Sequence, residues 1–153
     1  MQIPDYRPFL KNLRALSNET AADRIIHRYS LEAEDWYMVQ FLIPHISWNK
    51  SNRMRLARYY LSHIPFADGR MFTLFLRIMP LREFLQALQP YLESQKEDRH
   101  AMELTRYYLK RVLAQINPDT LCEKDRKQRD TFLAREATVF ECSNASPCDP
   151  KNA

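Results

Sequence analysis

The residues of this chain best suited to recognition chemistry sit in two octapeptides. Met54-Arg55-Leu56-Ala57-Arg58-Tyr59-Tyr60-Leu61 and Met102-Glu103-Leu104-Thr105-Arg106-Tyr107-Tyr108-Leu109 agree at six of eight positions, 48 residues apart. On a helix, Met54, Ala57, Leu61 and Ile64 make an apolar stripe widened by Leu56 and Tyr60, and Arg55, Arg58, Tyr59 and Ser62 fall on the other side. The same construction in the second copy buries Met102, Tyr108, Leu109 and Val112 and exposes Glu103, Arg106, Tyr107 and Lys110. Arg58 with Tyr59 and Arg106 with Tyr107 are therefore expected as matched outward pairs. A guanidinium pairs with phosphate and a tyrosine ring offers a stacking face, which suits nucleic acid. The same side chains also suit packing, with the ring between neighbouring units and the guanidinium on a carboxylate or a helix C-terminus.

Charge sharpens the first of these alternatives. Residues 31–49 carry Glu32, Glu34 and Asp35 and no Lys or Arg, a net of −3, whereas residues 50–82 carry seven bases against Asp68 alone, a net of +6. A surface concentrating that charge attracts phosphates or an acidic protein. The expected nucleic-acid contacts are Lys50, Arg53, Arg55, Arg58 and Tyr59 from the first copy and Arg106, Tyr107 and Lys110 from the second, with Arg70, Arg77 and Arg111 as further phosphate ligands. The bland alternative is that these cations line solvated faces and pair with neighbouring acids, five of which lie in residues 83–103.

Catalytic and metal chemistry have little to start from. The chain has no glycine-rich phosphate loop, no nucleophile elbow and no carboxylate pair whose spacing assigns acid and base roles. No two of His27, His45, His63 and His100 stand at i, i+3 or i, i+4, the spacing that puts two ligands on one helix face. Cys122, Cys142 and Cys148 are an odd number with no partner base, and neither a disulfide framework nor a zinc site is expected. No cofactor is expected either. Trp36, Tyr37, Trp48 and Tyr59 are candidate interface anchors, because Trp and Tyr concentrate in binding hot spots; a core or capping position is the ordinary alternative for Trp36, Tyr37 and Trp48.

The elements that must position these groups are helices. Gly69 is the only glycine in 153 residues, whereas sandwiches, barrels and phosphate loops need several. Apolar spacing predicts about eight helices, near 6–15, 19–29, 31–47, 50–64, 69–79, 81–94, 97–116 and 119–137. Asn18, Ser30 and Asp119 are candidate residues at helix starts. The octapeptide similarity extends upstream, where Gln40, Leu42 and Pro44 match Gln86, Leu88 and Pro90. Residues 31–79 and 80–137 are therefore expected to be a duplicated helical unit, in a compact bundle or a short HEAT- or armadillo-like array.

Residues 1–139 are expected as one all-α domain, and 140–153, rich in Ser, Asn, Asp and Pro, as a flexible tail. No apolar run is long enough to span a bilayer, and the first residues lack a signal-peptide pattern, so a cytoplasmic protein without a membrane partner is expected. The function expected is a non-enzymatic binding module. Its first reading is a nucleic-acid-associated accessory protein, with DNA or RNA held by the arginine-rich helix. Its second is a protein-interaction adaptor, inhibitor or assembly subunit, marked by an exposed apolar patch with arginines at its rim.

Overall fold

The computed structural model describes residues 5–143, with side chains up to residue 135. The chain is all-α: α1 (Arg7–Arg14), α2 (Asn18–Arg28), α3 (Val39–Leu42), α4 (Lys50–Leu61), α5 (Arg70–Ile78), α6 (Leu81–Ser94), α7 (Arg99–Gln115) and α8 (Glu123–Ser143), with no strand among the described residues.

Side-chain caps set several starts. Ser17 accepts from the Thr20 N–H, Asn49 from Asn52 and Asp98 from Ala101, so each satisfies one of the donors left over in a first helical turn. Asn18 is the first residue of α2 rather than its cap. Its side chain reaches across the fold instead, accepting from the Asn49 N–H at 2.6 Å and donating to the Ser47 carbonyl at 3.0 Å. The start of α2 is thereby tied to the start of α4.

The helix expected over residues 31–47 does not form. Residues 31–35 are turns, and the rest is a four-residue α3 between 3-10 turns at Trp36–Met38 and Ile43–His45. Asp35 is drawn out of helical service by a two-pronged ion pair to Arg28, at 2.9 and 3.2 Å, which closes the segment into a loop. Pro44 supplies no N–H and stops α3 from continuing. The final helix starts at Glu123 rather than 119, because Asn117 caps a separate 3-10 turn at Pro118–Thr120. It runs to Ser143, so the first residues of the expected tail, Phe140–Ser143, are helical; residues 144–153 lie outside the described residues.

α4 is the hub. It packs most extensively on α6 and also against α2 and α5, while α8 lies on α6 and α7. One apolar cluster joins them, with Tyr60, Phe72, Phe75 and Phe84 fully buried. Rings in contact lead outward from it, Phe84 to Phe72 at 6.0 Å, Phe72 to Phe66 at 5.4 Å and Phe66 to Trp36 at 6.1 Å. Gly69 needs no unusual dihedral, with φ at −87°. Its surroundings are tight instead, since a Cβ there would stand 2.7 Å from Val112 Cγ2 on α7 and that side chain would have to shift.

The two octapeptides lie on α4 and α7 and share one detail, an edge-on contact between adjacent tyrosines at 5.0 Å (Tyr59–Tyr60) and 5.1 Å (Tyr107–Tyr108). Their surroundings otherwise diverge. Upstream of α4 the chain is broken at Pro44, whereas α6 runs on through Pro90. The buried stripe of α7 is Ala101, Thr105, Leu109 and Leu113, so Met102, Tyr108 and Val112 are only half-buried. α7 lies towards the edge of the bundle, where a narrower stripe suffices.

Candidate functional site

On α4 the period is right about the core: Met54, Leu56, Ala57, Tyr60 and Leu61 are buried, and Arg55, Arg58 and Ser62 are exposed. Lys50, Arg53, Arg55 and Arg70, all assigned to phosphate, nevertheless stand against the protein's own carboxylates. Arg53 is a two-pronged donor to Glu83 of α6, at 2.8 and 3.1 Å, and Lys50 stands 3.9 Å from the same carboxylate. Glu83 is only 6% exposed. Hydrogen bonding from Arg53 holds its carboxyl below the usual carboxylate value; burial opposes this, and the charges of Arg53, Lys50 and Arg82 reinforce it. Arg55 pairs with Asp23 of α2, and Arg70 pairs at 2.7 Å with Asp68.

Tyr59 is not an outward ring. It is half-buried on the core cluster, and its hydroxyl accepts from the Leu31 N–H at 3.2 Å, because the loop after α2 covers that side of α4. Arg58 is exposed, and its carbonyl accepts from the Tyr91 hydroxyl at 2.6 Å. What α4 shows to solvent is a shallow depression of about 590 Å³ lined by Lys50, Ser51, Met54, Arg55 and Arg58.

The second copy does not join that depression. Tyr107 is exposed, but the Arg111 guanidinium lies over its ring at 5.5 Å and donates to its hydroxyl at 2.9 Å. Arg106 and Lys110 are half-buried, and each has a partner within the molecule. Arg77 is exposed on α5. The sequence-predicted residues thus form separate patches rather than one site.

No family model matches this chain, and no curated protein or solved structure is detectably similar to it.

Two further concave surfaces are lined by large apolar side chains. One, of about 330 Å³, is lined by Trp36, Tyr37, Phe66 and Met71, with Asp68 and Arg70 already paired at its rim. Trp36 is half-buried there, edge-on to His63 at 5.0 Å, whereas Trp48 is buried and donates its indole N–H to the Ile43 carbonyl at 2.9 Å, a structural role.

The other is a groove of about 530 Å³ between α6 and α8. Leu85, Gln89 and Leu92 line it from α6, at the spacing of one helix face, and Phe132 closes the floor from α8. Lys124, Lys127 and Arg135 follow its α8 side. Arg135 has a partner within the molecule; Lys124 and Lys127 form no ion pair among the described residues. The sequence shows the charge of this helix plainly. Its apolar counterpart on α6 appears only once the two helices pack.

Proposed function

We propose that this chain is a non-enzymatic protein-interaction module whose partner binds the α6–α8 groove. The observation that carries the proposal is the side-by-side placement of half-buried Leu85, Leu92 and Phe132 with the lysines of α8. Apolar area left in a groove and bordered by charge is the usual composition of a protein-binding patch. Of the basic charge of α4, in contrast, Arg53 is held by the buried Glu83 and Arg55 is paired at the surface with Asp23. The test is selection from a random displayed-peptide library on the wild-type chain and on the Lys124→Glu, Lys127→Glu double variant. Peptides enriched on wild type and lost on the variant are expected; equal enrichment on both, or none, would remove the groove from the function.

A nucleic-acid reading keeps one specific support, the exposed depression in which Lys50, Arg55 and Arg58 meet. It requires oligonucleotide binding that falls steeply with salt and disappears in Arg55→Glu with Arg58→Glu. Fluorescence anisotropy with single-stranded and duplex oligonucleotides at low and high salt decides it, and absent or salt-independent binding sinks it.

A further inference from the structure

We infer that the occupant of the α6–α8 groove is an acidic amphipathic helix of a partner protein, about three turns long; this rests on the protein-interaction proposal above. The groove continues past Gln89, Leu92 and Phe132 into a smaller depression of about 140 Å³ that adds Lys96, Met102 and Arg106. From Leu85 to Ser94 it follows α6 for roughly 14 Å at 1.5 Å per residue, two and a half helical turns, and Lys96, in the turn after α6, extends it to about the length of three.

Three features select the occupant. The first is charge. Lys96, Lys124 and Lys127 border the groove without ion-pair partners among the described residues, and the one carboxylate lining it, Glu93, accepts from the Gln89 side chain at 3.1 Å. The second is the apolar part of the lining, Leu85, Leu92, Met102 and Phe132, which has a single ring, so it rewards burial of Leu-like side chains and offers little to stacked bases. The third is the backbone. Both walls are α-helices whose N–H and C=O groups are bonded within the helix, so an extended peptide finds no sheet edge and its own backbone groups go unpaired. A helix arrives with its backbone satisfied and presents apolar anchors at i, i+3 or i+4, and i+7 to the floor. Glu or Asp on its flank then faces the lysines.

The experiment uses the full chain and a displayed library of random 16-residue peptides, followed by anisotropy with the labelled consensus peptide. Winners that depend on Lys124 and Lys127, carry net negative charge, show the apolar helical spacing and become helical on binding by circular dichroism are expected. The double Lys→Glu variant, folded by the same spectrum, weakens the consensus peptide by about tenfold or more, and rising salt weakens it on wild type. Phe132→Leu, which keeps the floor apolar, weakens it less than Phe132→Ser. Groove-dependent winners that are basic, neutral or proline-rich overturn this inference and leave the interaction proposal standing. An absence of groove-dependent winners overturns both, and an oligonucleotide that competes for the groove with equal affinity replaces the helix by a nucleic acid.

Discussion

Arg53 and Glu83 join the two most extensively packed helices, and their pairing makes the fold acid-sensitive in a defined direction. The folded Glu83 holds its proton more weakly than an ordinary glutamate, whose value is 4.5. Its contribution is present above that value in the unfolded chain and is lost as pH falls through the lower folded value. Glu83→Gln is expected to cost about 2 kcal/mol at neutral pH and progressively less as pH falls below 4.5, read as the gap between urea midpoints of variant and wild type. A gap that does not change with pH would place the cost in packing. Tyr60 is the second such residue. Its hydroxyl donates to the Tyr29 carbonyl at 2.8 Å, and burial pushes its phenol well above the ordinary value of 10.0. Its folded value is the higher one, so this stabilisation is complete below about pH 10 and declines as pH rises further. Tyr60→Phe is expected to lose about 1 kcal/mol at pH 7, measured by urea unfolding. Helical period suffices to bury Tyr60 and to expose Arg55 and Arg58. It does not show that Arg53 meets a carboxylate 30 positions away, because ion pairs between helices are set by packing.

At the scale of elements, Gly69 gives the sharpest expectation. It stands at the start of α5, where an added Cβ would press on the Val112 methyl of α7. Gly69→Ala is expected to destabilise by about 1–3 kcal/mol by forcing α5 and α7 apart, and Val112→Ala in the same chain to recover part of that loss. Additive costs in the double variant would show that the two residues do not press on each other. Seven of the eight helices are legible from apolar spacing, all but the last to within about three residues, whereas Asn18, Ser30 and Asp119 cap none of them. The exception, 31–47, has the apolar pattern, but Asp35 finds Arg28 and Pro44 interrupts the donors, so local chemistry overrides period. The α6–α8 groove is less legible still. Leu85 and Leu92 read as core in isolation, and only the position of α8 leaves them half-buried.

For the whole molecule, the single apolar cluster carries a consequence for unfolding. Contacts run without interruption from Leu10 and Leu13 of α1 to Leu109 and Leu113 of α7. One cooperative transition is expected, with the same midpoint by far-ultraviolet circular dichroism and by tryptophan emission. Separate midpoints would divide the chain into two units that unfold independently. The sequence similarity of the octapeptides is real at six positions, but α4 is the hub of the bundle and α7 lies near its edge, so similar residues do different work.

The chain also carries a pair of built-in optical reporters. Trp48 is sealed in with its indole N–H bonded, whereas Trp36 lines an open depression at the end of the ring contacts that lead to Phe84. Acrylamide is expected to quench two populations of native emission, an accessible red-shifted one from Trp36 and a protected blue-shifted one from Trp48, and Trp36→Phe to leave only the second. With that substitution the remaining signal watches the junction of α3 and α4, while the native pair watches the surface as well, so a molecule settling over Trp36 would announce itself without any label.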